Sequence, residues 1–367
     1  MKEEVRLGLD EDGAGVTGLG DGTLATLQAA GLSPDDVARA VRAALDEDFE
    51  YGPDVTSAAT VAGRSVTADV VAREAGVLAG IPVALAVLDL IGGYLDGLAG
   101  RVTGTVLVPD GERIGAGDAV LRVSGPAPAV LGAERTMLNF LTHLSGIATA
   151  TRAWADALEG TGAVVRDTRK TIPGLRVLDK YAVRCGGGRN HRMGLGDAAL
   201  IKDNPVAAAG GVAAAVAAVR SAAAARSGTA ASALGASGAT ASAPAASGLA
   251  ASGLAASGAA ASEAAASGAG AGLVIEVECD SVAQVREALD AGAHFLLLDN
   301  MSLGSLREAV AVARDYYGVR LEASGGLRLE NAREVAETGV DYLSVGALTH
   351  SSRALDLGLD FADADDR

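Results

Sequence analysis

AVVRDTRK, residues 163–170, decides the reading of the fold. Three apolar residues run straight into Arg-Asp-Thr-Arg-Lys, so a short strand ends on charge. The design recurs along the chain. AALI (198–201) leads into Lys202-Asp203-Asn204, LVIEVE (273–278) ends on Glu278, and HFLLLD (294–299) ends on Asp299. VRLEAS (319–324) leads into Ser324-Gly325-Gly326, and DYLSVG (341–346) closes on Ser344-Val345-Gly346. Amphipathic helices separate these strands. Repeated βα units imply a parallel sheet, open or closed into a barrel. α/β barrels build their sites at the carboxyl ends of the strands, and all six strand ends here are polar. Six strands are fewer than eight, so the expected fold is α/β with an incomplete TIM-like barrel over residues 146–367.

Upstream the rhythm differs. Residues 1–32 are expected to be a poorly ordered, acidic and glycine-rich extension. SPDDVARAVRAALDED, from Ser33, predicts a helix: Ser33 can cap, Pro34 suits the first helical position, and Asp35 and Asp36 favour the positive helix end. Val37, Val41 and Leu45 give it one apolar face. SVTADVVARE and DAVLRVSG read as strands, PDGERIGAGD as a turn-rich connector, and IPVALAVLDLIGG as a helix. A long helix follows from about Ala127 to Leu158. Residues 33–145 therefore form an α+β domain that hands over to the barrel through a helix, and the C-terminal tail is expected to pack back on it.

Residues 227–272 break the pattern. Nearly all are Ala, Ser, Gly or Thr, and 245–269 repeat with period five: AASGL AASGL AASGA AASEA AASGA. That period keeps no face of a 3.6-residue helix. The segment is expected to be a flexible surface insertion between a barrel helix and its next strand.

Formal net charge is −16, yet Arg166 to Lys202 holds nine Lys/Arg and three Asp/Glu, a local net of +6. An acidic chain with 3% aromatics lacks the basic faces and stacking platforms of a nucleic-acid binder. A local positive pocket suits a small, multiply charged anion. Cys185 and Cys279 are too few for a disulfide framework, and no basic n-region or long apolar run suggests export or a membrane span. A cytoplasmic enzyme is the expected class.

Arg169, Lys170 and Lys202 follow adjacent strands, and Arg189, His191 and Arg192 lie behind the three glycines 186–188 in the connection between them. One rim would gather them, with Arg forks and Lys point charges suited to carboxylate and phosphate. Glu276 and Glu278 share one strand face. Carboxylates at strand ends, Glu278 and Asp299, suit Mg²⁺ held together with substrate phosphates. The glycine-rich turns EASGG (322–326) and SVGALTH (344–350) can cradle a phosphate through backbone N–H groups.

ERTMLNFLTHLSGIAT, DTRKTIPGLRVLDKYAVRCGGGRNHRMGLGDAALIKDN, IEVE, LLLDN, LEASGG and DYLSVGALTHS, in this order, resemble the quinolinate phosphoribosyltransferase family. The resemblance runs from about residue 35 to 360 outside the insertion. It implies an N-terminal α/β sandwich domain, an incomplete α/β barrel and a homodimer with shared sites. It implies conversion of quinolinate and phosphoribosyl pyrophosphate to nicotinate mononucleotide, CO₂ and pyrophosphate with Mg²⁺, in NAD biosynthesis. Residue by residue, it implies that Thr168, Arg169, His191, Arg192 and Lys202 hold quinolinate, with Arg135 reaching in from the neighbouring subunit. Lys170 and Lys202 would contact substrate and pyrophosphate. Glu278 and Asp299 would serve the Mg²⁺–diphosphate and the charge developing on ribose. Ser324, Gly325, Gly326, Gly346, Ala347 and His350 would surround the 5′-phosphate. One departure stands out: the family motif continues KDNH, and here Pro205 takes the histidine's place. A non-catalytic or slow phosphosugar-binding homologue, or a paralogue acting on another anion, is the alternative; the complete DTRK, NHR and KDN set weighs against the paralogue, and intact Lys170, Lys202, Glu278 and Asp299 weigh against the non-catalytic reading.

Overall fold

A computed structural model describes residues 18–95, 101–234 and 273–362. The N-terminal part holds α1 (Asp21–Ala29), α2 (Pro34–Phe49), α3 (Val55–Thr60), β1 (Ser65–Ala72), β2 (Gly76–Val77), α4 (Ile81–Leu90), β3 (Thr103–Val106), β4 (Arg113–Ile114) and β5 (Ala119–Pro126). Ser33 Oγ accepts from Asp36 N at 3.3 Å, which caps α2 as its sequence predicts. α1 lies where a poorly ordered extension was expected over 1–32. Its own sequence carries little amphipathic signal; docking against α4, an almost wholly buried helix, supplies the order. Leu27 and Leu32 are buried there and Gly20 N donates to Asp89 at 2.9 Å. Residues 1–17 of that extension lie outside the described residues.

A four-stranded antiparallel sheet, in the order β12-β1-β5-β3, backs these helices. Its edge strand β12 (Leu357–Phe361) comes from the far end of the chain and pairs with β1, Ala68 opposite Phe361. The turn-rich connector holds β4, which pairs with β2. The long helix α5 (Ala127–Ala157) carries sixteen buried residues and joins the two parts.

The second part alternates β6 (Val164–Arg166), α6 (Arg176–Cys185), β7 (Ala198–Ile201), α7 (Asp203–Ala209), α8 (Val212–Leu234), β8 (Val274–Cys279), α9 (Val282–Asp290), β9 (Phe295–Asp299), α10 (Leu303–Ala313), β10 (Arg320–Ser324), α11 (Ala332–Ala336), β11 (Tyr342–Ser344) and α12 (Ala347–His350). All six strands are parallel, in the order β6-β11-β10-β9-β8-β7. First and last strands thus pair, as in a barrel, and the gap falls between β6 and β7. One parallel bridge, Arg166 to Arg189, enters that gap from the loop after α6. Between these strands and their helices the core is mainly Leu, Val and Ala, with Val165, Leu296, Leu298 and Leu343 fully buried.

Helix α8 continues to Leu234, so the first eight residues of the low-complexity segment extend a helix; alanine is the best helix former, and this stretch holds one glycine, Gly228. Residues 235–272, the remainder of the expected flexible insertion, lie outside the described residues. Among the described residues, no single helix is long and apolar enough to cross a membrane.

Candidate active site

The carboxyl ends of the six parallel strands open into a cavity of about 480 Å³. Its basic wall is Arg169, Lys170, His191, Arg192 and Lys202, with Thr168 beside them. Glu278 and Asp299 face it from adjacent strands, and Ser324, Gly325, Gly326, Gly346 and Ala347 close the other side.

The wall is positioned from beneath. Lys180 and Asp167 are fully buried and ion-paired. Lys180 also donates to His191 O at 2.9 Å, while Asp167 accepts from His191 N at 2.8 Å and from Asn190 Nδ2 at 2.6 Å. This network holds residues 189–192 across the β6–β7 gap. Burial pushes the Lys180 pKa down and the Asp167 pKa up, in both cases against the partner's attraction. A buried pair of this kind fixes geometry and is costly to break.

Arg192 Nη1 donates to Ala198 O at 3.1 Å. Its pKa is lowered by burial and by the neighbouring Arg169 guanidinium. Arg169 Nε is buried with no hydrogen-bond partner. Two crowded guanidinium groups in a cavity call for an anion.

Lys202, at the start of α7, reaches across to pair with Glu278. Asn204 is helical although a proline follows, and Pro205 occupies the third helical position, where a backbone N–H has no intrahelical acceptor. A residue before proline favours extended backbone, and the helical turn overrides that preference at Asn204. Asn204 N donates to Asp203 Oδ1 at 2.8 Å and Val206 N to Lys202 O at 3.0 Å, so the first turn closes without a Pro205 donor.

On the opposite side, Asn300 sits at φ 52° and donates to Asp299 Oδ2 at 2.6 Å. Gly325 has φ 83°, and a Cβ there would lie 2.2 Å from Asn300 Oδ1, so the turn admits only glycine. A Cβ at Gly346 would meet Lys170 Cδ at 2.8 Å and His350 Nε2 at 3.5 Å, which places His350 beside this turn.

Two residues of the expected set stand elsewhere. Arg135 is exposed on α5 and does not line its own chain's cavity. Arg189 contributes its backbone bridge, and its side chain is exposed. Sequence reasoning did not join His191 to the buried carboxylates at the cavity floor. His191 Nε2 lies 2.9 Å from Glu276 and 3.6 Å from Glu322; Glu322 also pairs with Arg166 and accepts from Ser344. A glutamate inside the apolar strand RLEAS was the available signal, since Glu is almost never fully buried without a partner.

The sequence matches the quinolinate phosphoribosyl transferase N-terminal domain over residues 54–145 and the C-terminal domain over 147–229 and 251–360. It is 48% identical over 329 residues to the nicotinate-nucleotide pyrophosphorylase [carboxylating] of Mycobacterium leprae, covering 89% of this chain and 97% of that one. It is 33% identical over 314 residues to the probable enzyme of that name from Bacillus subtilis, covering 86% and 89%. The solved nicotinate-nucleotide pyrophosphorylase of Francisella tularensis superposes with a TM-score of 0.71 at 32% identity, covering 91% of this chain and 99% of that one.

Proposed function

The chain belongs to the quinolinate phosphoribosyltransferase family, and from that premise we propose how its residues share the reaction. It is a phosphoribosyltransferase of NAD biosynthesis: it moves phosphoribose from phosphoribosyl pyrophosphate to quinolinate and releases pyrophosphate and CO₂, giving nicotinate mononucleotide. The observation that carries the assignment of roles is the single cavity, which sets a cationic wall opposite glycine-rich turns with two carboxylates between them.

Arg169, His191, Arg192 and Lys202 hold the quinolinate dianion, with Thr168 at their side. Ser324, Gly325, Gly326, Gly346, Ala347 and His350 receive the 5′-phosphate, and Lys170 meets the pyrophosphate. Fixed positive charge offsets the repulsion between two anionic substrates and aligns the pyridine nitrogen with ribose C1. The C1–O bond to pyrophosphate breaks as the N–C1 bond forms. Glu278 and Asp299 stabilise the positive charge that builds on the ribose. The C2–carboxylate bond then breaks, CO₂ departs, and its electron pair takes up a proton at C2.

Glu278 and Asp299, oxygen donors on adjacent strands, fit Mg²⁺. When bound, Mg²⁺ neutralises the diphosphate leaving group. Lys202 already pairs with Glu278, so the lysine holds that carboxylate before substrate arrives. Arg135 reads as a residue that completes the site of a second copy, because its exposed side chain stands outside its own cavity. We place the activity in the cytoplasm as a homodimer; buried free thiols at Cys185 and Cys279 suit a reducing compartment.

Purified protein with quinolinate, phosphoribosyl pyrophosphate and Mg²⁺ should yield CO₂ and nicotinate mononucleotide in equal amounts. Turnover of nicotinic acid in place of quinolinate would overturn the dicarboxylate assignment. Mixed Arg135→Ala and Lys170→Ala chains should regain activity that neither has alone; a verified mixed dimer with none would remove Arg135 from the shared site.

A further inference from the structure

The buried group at the cavity floor has no role in the scheme above, apart from His191 itself. Glu276 is 4% exposed, and its Oε2 lies 2.9 Å from His191 Nε2. Its other oxygen, Oε1, is buried with no hydrogen-bond partner. The second ring nitrogen, Nδ1, accepts from Arg192 N at 2.7 Å, and Arg192 lines the cavity. Ligand atoms of His191, Glu276 and Glu322 fall within 4.8 Å of one another, a spacing open to a cation. Glu322 is already neutralised by Arg166 and bonded by Ser344. The carboxylate left to balance is Glu276, and the group facing it is His191.

We propose that Glu276 is a positioning residue for the quinolinate site: it pins Nε2 of His191 inside the barrel, so that Nδ1 is held as the acceptor that fixes the main chain of Arg192 at the cavity wall. A carboxylate on one imidazole nitrogen fixes the tautomer and the ring plane. Nδ1 accepts from Arg192 N only while it carries no proton; a second proton on the ring would break that bond. Burial opposes a charged ring here; the bond and charge of Glu276 and the charge of Glu322 outweigh it, against a smaller contrary effect of Arg166. The Lys180 and Asp167 contacts to the His191 backbone hold the main chain still, so the ring has one orientation to offer.

The proposal rests on the quinolinate reading of the site, and its test has one arm that does not. In the kinetic arm, Glu276→Gln should raise KM for quinolinate about tenfold, as expected for loss of a charge-assisted hydrogen bond, and leave KM for phosphoribosyl pyrophosphate within about twofold. In a His191→Asn background the same change should add nothing. Equal losses for both substrates, or additive losses in the double variant, would overturn the proposal. In the second arm, the protein without substrate is labelled with ¹⁵N-histidine; only four histidines are present. The His191 titration midpoint should fall in Glu276→Gln and largely recover in Glu276→Asp, which keeps the charge. An unmoved midpoint in folded Glu276→Gln would overturn the pairing even if the enzyme proved to act on another anion.

Discussion

Lys202 donates to Glu278 across the mouth of the barrel, joining the residue after β7 to the end of β8. The contact ties a residue of the anion wall to one of the two carboxylates beside it. Lys202→Ala frees Glu278 and removes a cation from both substrates. We expect kcat/KM to fall about 10²–10³-fold, the range for losing one preorganised electrostatic group, measured by pyrophosphate release.

His191 bears on pH. Its folded pKa is raised above the ordinary 6.5. The stability it contributes is therefore fully present below 6.5 and is lost as pH rises through the folded value. Urea midpoints of the wild type should decline across that window more than those of His191→Asn; parallel curves would show that folding does not raise the His191 pKa.

Breaking the pair beneath the wall should be costly. Lys180→Met leaves Asp167 buried without its cation and should destabilise the fold by about 3–5 kcal/mol, read from urea unfolding. Asp167→Asn together with Lys180→Met should recover part of the loss.

Gly346→Ala places a methyl 2.8 Å from Lys170 Cδ. The lysine must move, so KM for phosphoribosyl pyrophosphate should rise at least about tenfold with little change in melting temperature. A normal KM would show that Lys170 adapts freely.

Pro205→His should leave turnover within about threefold, because the proline's missing donor has no intrahelical acceptor at that position. The variant should lose about 0.4–1 kcal/mol through the freer unfolded chain, measured by thermal unfolding. A large gain in kcat would mark Pro205 as a lesion.

The barrel was legible because its strands are short, apolar and punctuated by charge. AALI at 198–201 coincides with β7, and the other five strands differ from their predicted ends by a few residues. α1 was not legible: Asp21–Ala29 is ordered by contacts with α4, which no local pattern encodes. The cavity wall could be read from DTRK, NHR and KDN, because charge and adjacency are written in the chain. Its support could not. Asp167 and Lys180 are thirteen residues apart and are brought together by the turn of β6 into α6. Glu276 and Glu322 lie on strands separated by β9. The bond between Tyr181 and Asp110, 2.6 Å long and spanning 71 residues, likewise joins the two domains without local warning.

The gap between β6 and β7 has a consequence for how the family's specificity can change. Every other neighbouring pair in the barrel shares a ladder of backbone hydrogen bonds, so a shift in one strand is passed to the next. His191 and Arg192 stand on a span fastened mainly by side chains. That span can be rewritten, in length or in residue type, without disturbing strand register. Under the proposed roles, recognition of the acceptor is uncoupled from the scaffold that holds the phosphosugar, and a new acceptor could be accommodated by editing one loop and its buried anchor.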